Sequence, residues 1–457
     1  MTEPATDPAV VAPAADAAAS PAASRGLGAA YRKLFAATTI SNIGDGVSQI
    51  ASPWLASAVT RQPLLVALVA VAQRLPWLVF TLPAGVITDR VDRRKAMIAM
   101  NTLRGVLTTV VAFAVLSQQG SLPGPDEIDR VVGTRTGLYL VVLAATLLLG
   151  MAEVLADNCG QTLMPSLVHQ DHLERANGRL WAAGGVANPF VGPPLGSLLL
   201  FAAFSLPFFV DAASFFAAAA LVALIPGIFR AERPDDHVTQ HWAVELKEGV
   251  RWLWGHSLLR PMAIILGLMN LASMLGGATM VLFAQEVLEV GPVMFTVLGF
   301  GLALGGIVAG TFASAISARL GAGTCLAITL GGSAVVAAVI FALPYWPVVM
   351  LMFAFTALLG TLWNVITVSL RQAIIPPHLL GRVNSVYRFF AWGMMPIGAA
   401  LSGLIVLVVD RITTRDWALR SVWLADAIVH VGLFAFGRSR LTTARIEAAR
   451  AAGAPVV

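Results

Sequence analysis

This amino-acid sequence predicts an all-α membrane protein whose twelve transmembrane helices form two six-helix repeats. Three observations support that reading: the composition, the length of the apolar runs, and a loop pattern that occurs twice. Hydrophobic residues make up 57% of the chain and charged residues only 12%. An average globular domain carries about 25% charged residues, so a chain of 457 residues is left with too little charge to cover a water-facing surface. The charges that remain fall in short stretches between apolar runs, each near the roughly 20 residues that cross a bilayer core.

Residues 1–30 are rich in Ala and Pro, carry Glu3, Asp7 and Asp16, and have no continuous apolar core. They read as a disordered cytoplasmic tail. A signal peptide would need a leading positive charge and a hydrophobic region, so the first span acts as an uncleaved insertion signal. The candidate spans are 34–57, 63–87, 95–117, 137–160, 180–202, 206–229, 261–286, 292–318, 322–343, 345–370, 386–409 and 417–437. Pro344, Tyr345, Trp346 and Pro347 mark a tight interfacial turn between the ninth and tenth spans. The domain plan is a six-helix bundle over 31–229, a cytoplasmic linker over 230–260, a second bundle over 261–437 and a cytoplasmic tail over 438–457. Within the linker, Trp242, Leu246, Val250, Leu253 and Trp254 share one helical face, opposite most of Glu245, Lys247, Glu248 and Arg251. That pattern fits an amphipathic helix on the cytoplasmic membrane surface, or a simple connecting helix.

Basic residues set the orientation. With the N-terminus in the cytoplasm, most of the 30 Lys and Arg lie in cytoplasmic segments. Only Arg61, Arg130, Arg135, Arg411, Arg415 and Arg420 lie outside, while Arg74 and Arg104 fall within spans. The three arginines around the last outer loop are the one poor fit. Both termini are then cytoplasmic, in a plasma-membrane protein. This topology accounts for the net charge of +5 without nucleic acid as a partner. Cys159 and Cys325 are distant and lack a CxxC pattern, so neither a disulfide nor a metal site is expected. No HExxH, GxSxG or GxxxxGK[ST] pattern occurs. Neither an enzyme nor an ATP-driven pump is expected, and no cofactor is called for.

The repeat lies after the fourth and tenth spans, as QTLMPSLVHQDHLERANGR and RQAIIPPHLLGRVNSVYR. Each has Gln, an apolar pair, Pro, a polar stretch, and Arg-x-Asn opening the next helix. Arg175 and Asn177 thus correspond to Arg382 and Asn384. Pro63 and Pro292 open the second span of each half, and Gly85 and Gly310 close them. Repeats in the same sense imply an axis along the membrane normal, with a site near mid-membrane between the halves.

The loop Gly85-Val-Ile-Thr-Asp89-Arg90-Val-Asp92-Arg93-Arg94-Lys95 resembles the loop signature of the major facilitator superfamily, with Asp92 where that family usually has glycine. The resemblance implies that Asp89 meets a helix N-terminus of the other half. Together with Gly85, Arg90, Arg93 and Arg94 it would form a cytoplasmic gate that holds the outward-facing state shut. A purely topogenic cluster is the plainer alternative, and in the second half only Arg319 occupies the corresponding loop. In the fifth span Gly192-Pro193-Pro194-Leu195-Gly196 is similar to the antiporter motif of the superfamily's proton-coupled drug exporters. There glycines permit close helix contact and prolines bend the helix. With Asn42-Ile-Gly-Asp45, the layout of residues 30–440 looks most like the multidrug, macrolide and siderophore exporter branch.

Ionisable residues within spans cost roughly 2.5–3.5 kcal/mol each at mid-membrane unless paired or wet. Asn42, Asp45 and Gln49 make one stripe on the first span, and Glu153, Asp157 and Gln161 another on the fourth. In the superfamily these helices line the cavity, so Asp45 and Glu153 are candidates for binding protons or a cationic substrate. Alternatively Asp45 pairs with Arg74 or Arg104, and Asp157 braces the loop after the second span as part of the gate. Asn270, Ser273 and Met274 on the seventh span, with Trp363, Asn364 and Thr367 on the tenth, are candidate substrate contacts. Asp426 and His430 read as a structural pair one turn apart, and Asp211, Glu286 and Glu289 as residues near the outer surface. The expected function is efflux of a small organic substrate in exchange for protons, by a monomer within the lipid bilayer. An uptake transporter of the same fold is the main alternative; a membrane enzyme or scaffold is a third.

Overall fold

The computed structural model describes residues 27–124, 127, 131, 133–230 and 242–453. The tail expected over 1–30 therefore lies almost wholly outside the described residues, as does most of the polar part of the linker. Among the described residues every regular element of size is a helix. The first half contains α1 (Gly28–Val59), α2 (Pro63–Val79), α3 (Thr81–Thr88), α4 (Arg93–Leu116), α5 (Thr136–Leu163), α6 (Leu173–Val186), α7 (Gly192–Ala202) and α8 (Leu206–Ala223). A connecting α9 (Trp242–Gly255) follows. The second half contains α10 (Leu259–Ala278), α11 (Met280–Glu286), α12 (Pro292–Leu320), α13 (Ala322–Ala342), α14 (Trp346–Ile374), α15 (Pro377–Val409) and α16 (Arg415–Gly437), before a terminal α17 (Thr443–Gly453).

Among the described residues ten helical segments are long and apolar enough to span a membrane. The two remaining spans fall short for visible reasons. Helix α1 is 32 residues long but carries the polar stripe in its middle. The second span is interrupted at Phe80, because Pro83 has no N–H to donate back to Val79 and the helix restarts as α3. Its counterpart α12 runs unbroken to Leu320, so Gly310 lies within that helix and does not close it. Pro63 and Pro292 both sit in the first turn of their helices, where a missing N–H costs nothing.

The fifth span is α6, a π-helical turn at Ala187–Val191, then α7. A wider turn there leaves the carbonyls before Pro193 and Pro194 room that an α-helix would deny them. Glycine contacts set the helix spacing. A Cβ on Gly192 would lie 2.5 Å from the Gly46 Cα, and one on Gly196 would lie 2.6 Å from the Val47 carbonyl oxygen. Backbone therefore meets backbone between α1 and α7. The second half uses the same device between α12 and α14, where a Cβ on Gly305 would stand 1.9 Å from the Ala354 oxygen.

Three apolar cores divide the molecule along its length. One joins both halves, with Trp54, Leu138 and Phe208 beside Leu275, Phe283 and Trp423. The other two are separate: Leu34, Met97 and Leu163 in the first half, Met262, Trp363 and Tyr387 in the second. The separate cores lie at the end bearing the Gly85–Lys95 loop, here termed the basic end. The halves are thus packed together at the far end and apart at the basic end. Along their length they also meet where Trp77 packs on Trp392 (5.3 Å between rings) and Phe190 stacks on Phe300 (6.0 Å).

Helix α9 does not lie free. Gly249 meets the Arg382 backbone, Leu253 is fully buried, Trp254 packs on Phe390, and Glu248 pairs with Arg382 at 2.5 Å. It is docked on α15. The two loops of the sequence repeat also differ. The first contains two 3-10 turns before α6, whereas the second passes directly from α14 through Pro376 into α15.

Candidate functional site

A cavity of about 420 Å³ lies inside the bundle. Its polar wall comes from the first half: Asp45, Ser48 and Gln49 of α1, Gln73 and Arg74 of α2, Arg104 and Thr108 of α4, Glu153 of α5, Asn188 and Asp211. The second half contributes Ala278, Met280, Val281 and Phe295. Trp77, Phe208 and Phe215 of the first half add apolar surface, so the site can hold a molecule that has both a charged or polar group and an apolar body.

Asp45 is paired. The Arg104 Nη2 donates to its Oδ1 at 2.5 Å, and the guanidinium rests 4.0 Å above the Phe215 ring. Arg104 is nearly buried, whereas 28% of the Asp45 side chain remains open to the cavity. Of the two partners considered from sequence, Arg104 makes the bond, and Arg74 lines the cavity as Glu153 does. Gln49 donates to Asn188 at 2.5 Å, tying α1 to the π-helical turn.

Asp211 is the residue the sequence misplaced. It is 3% exposed in the bundle interior, accepts a short bond from Ser48, and touches Gly44. Its position five residues into an apolar run suggested the outer surface. A lone acid inside such a run is itself the signal that a partner waits on a neighbouring helix. Glu289 is exposed at the far end.

Other sequence candidates lie elsewhere. Asn42 bonds its own helix at the Thr38 oxygen, and Asn270 donates to the Ala391 oxygen, joining α10 to α15. Neither lines this cavity. Trp363 is 1% exposed within the second-half core and Asn364 is exposed, so neither touches the cavity either. The polarity of Asn270 serves helix packing, which composition cannot distinguish from ligand contact. Asp157 and Gln161 are exposed, and the brace between α3 and α5 is made instead by Thr88 with Cys159. Asp426 and His430 pair at 2.7 Å within the second half, as their spacing indicated.

At the basic end the loop signature separates into two parts. Arg94 donates to the Val222, Ala223 and Gly227 carbonyls, closing the C-terminus of α8, and Arg93 reaches the Thr162 carbonyl. Asp92 caps α4 by accepting from the Lys95 N–H, which explains an acid where glycine is usual. Gly85 has open space where a Cβ would stand. Asp89 and Arg90 are exposed, and among the described residues no bond joins them to the second half.

The far end is bonded across the halves. Glu286 of α11 accepts from Arg61 of the first half and from Arg415 Nε at 2.8 Å. Arg415 also reaches Asp410 at 3.1 Å and the Arg61 carbonyl at 2.9 Å. These pairs account for an arginine that fitted the topology poorly, and Arg420 is matched by Asp416. Glu286→Gln removes the charge that Arg61 and Arg415 share, and should populate a state open at the far end. Ala284, fully buried there, reports it: Ala284→Cys should resist a hydrophilic maleimide alone and react severalfold faster when combined with Glu286→Gln. Equal rates would show that the network does not hold that end.

A two-half helical bundle around an internal cavity, closed at one end, has the architecture of a membrane transporter. The chain belongs to the major facilitator superfamily: the family profile described as transmembrane secretion effector matches residues 25–447. It is 28% identical over 386 residues to the multidrug efflux pump Tap of Mycolicibacterium fortuitum, covering 81% of this chain and 87% of that one. The enterobactin exporter EntS of Citrobacter koseri is 23% identical over 384 residues, covering 82% and 84%. Among solved structures, a mutant of the nucleoside transporter NupG superposes with a TM-score of 0.69 at 12% identity, over 90% of this chain and all of that one. That last likeness concerns the fold.

Proposed function

We propose that this transporter exports amphipathic organic compounds in exchange for protons. The observation that carries the reading is the mixed lining of the cavity: carboxylates Asp45, Glu153 and Asp211 stand among aromatic and methionine carbon such as Trp77, Phe208, Met280 and Phe295. An amphipathic molecule matches both kinds of surface, and carboxylates in a low-dielectric site can exchange protons during a cycle. The likeness to a multidrug efflux pump and to a siderophore exporter supports outward transport. In this reading the basic end is cytoplasmic, both termini lie there, and the bundles 31–229 and 261–437 rock as a monomer about the cavity. The structure is then open to the cytoplasm and closed outside by Arg61, Glu286 and Arg415. The cytoplasmic gate narrows to Asp89 and Arg90, since Arg93 and Arg94 already hold the first half together.

Ethidium, a fluorescent organic cation, tests the function in everted membrane vesicles. Acidifying the vesicle lumen should drive its accumulation, and collapsing the pH gradient should abolish it. Accumulation that persists unchanged without any ion gradient would sink proton coupling. Asp89→Asn should slow turnover with little change in ethidium affinity; weakened affinity alone would contradict its gate role.

A further inference from the structure

One buried guanidinium, Arg104, serves several carboxylates of this cavity, and two of them, Asp45 and Asp211, flank it on neighbouring helices α1 and α8. Arg104 on α4 bonds Asp45 of α1 through Nη2, while its Nε–H is buried with no acceptor. The guanidinium lies on Phe215, one turn after Asp211 on the same face of α8. Asp211 Oδ2 has Ser48, but Oδ1 is buried against Gly44 with no donor. An unused donor and an unused acceptor therefore sit on neighbouring helices around one arginine. The helices packed against α8 bring Asp45 and Arg104 to this region, and α7 carries no charge. Glu153 of α5 also lies within charge range of Arg104, with Asp157 one turn beyond it and Arg74 lining the same cavity. A single cation cannot satisfy both Asp45 and Asp211 in a buried site, and an unpaired buried carboxylate is costly.

We propose that Asp211 is the proton-carrying carboxyl and that Arg104 transmits its charge state to Asp45. With Asp211 protonated, Arg104 stays on Asp45 and neutralises it. When the Asp211 O–H bond breaks and the proton leaves to cavity water, Arg104 pivots on Phe215 and donates to the new carboxylate. Asp45, already partly open to the cavity, is freed to bind an organic cation. One proton leaves and one positive charge enters, so the cavity charge is unchanged. This rests on the proton-exchange reading above and narrows its substrate class to monovalent organic cations.

The test measures ethidium binding and proton release on the purified full-length protein in weakly buffered detergent solution. In the parent protein, ethidium should bind about tenfold more tightly at high than at low pH, within the usual range of coupling between two sites. Near the midpoint pH, binding should release about half a proton, the most that a tenfold coupling allows. Asp211→Asn should bind weakly at every pH, matching the parent at low pH, and release none. Ser48→Ala should still release a proton, with the pH midpoint of binding displaced; it carries the test if Asp211→Asn does not fold. Proton release by Asp211→Asn, or an unmoved midpoint in Ser48→Ala, overturns the Asp211 assignment and leaves proton coupling intact. A parent protein that binds ethidium without releasing a proton overturns both. A parent that binds no ethidium at high pH overturns the cationic substrate class.

Discussion

Arg104→Ala is expected to lower the stability of the folded protein by about 2–4 kcal/mol, with the transport activity lost as well. Truncation strands Asp45 without its cation and removes the stacking on Phe215. Deleting one member of a buried pair commonly costs roughly 3–5 kcal/mol. Asp45 keeps some contact with water, which screens part of that cost. Adding Asp45→Asn to Arg104→Ala should recover much of the loss, since the stranded charge is then gone. Thermal unfolding in detergent, followed by tryptophan fluorescence, orders the variants: parent highest, the double variant next, Arg104→Ala lowest. If Arg104→Ala melts with the parent, the pair contributes nothing to folding and Arg104 is retained for transport alone.

Gly192→Leu should have a still larger effect. A Cβ at this position would stand 2.5 Å from one backbone carbon of Gly46 and 2.7 Å from another, with the Ile43 carbonyl oxygen equally near. No rotamer change relieves a clash between backbones, so α1 and α7 must separate. Separation would also break the Gln49–Asn188 bond and disturb the Ser48–Asp211 contact. The cost exceeds the roughly 1–3 kcal/mol of ordinary overpacking. Gel filtration should give aggregate or no protein for Gly192→Leu. Gly185→Leu, with open space around that position, should give a monodisperse peak. A monodisperse, active Gly192→Leu would mean that the close approach of these helices is dispensable.

These two cases show where sequence was informative. Hydropathy, the repeated Arg-x-Asn loop and the paired Pro63 and Pro292 exposed the architecture because each obeys a one-dimensional rule: span length, duplication, or a missing N–H. Asp45 and Glu153 were visible because a carboxylate inside an apolar run needs a reason to be there. Which partner Asp45 takes was not visible, since Arg74 and Arg104 satisfy the same rule and only packing separates them. Asp211 was misjudged because its distance from the span edge says little when the neighbouring helix brings Gly44 and Ser48 to meet it. Asn270 faces another helix and does not line this cavity; a polar group facing a helix leaves the same trace in sequence as one facing a ligand. The Glu286 network joins segments hundreds of positions apart through side chains alone, and no local pattern encodes it.

The π-helical turn at Ala187–Val191 carries a rotational consequence. It holds about one residue more than an α-turn would. Rewinding it to α geometry would turn everything beyond Val191 by about 100° about its axis, one residue's worth. Gly192 and Gly196 would then swing off Gly46 and Val47, and side chains with a Cβ would take their places. The glycine seam thus acts as a ratchet stop: the extra residue cannot be absorbed while α1 and α7 touch. Any motion that releases the twist must first pull those helices apart, and with them Gln49 from Asn188 at the cavity wall.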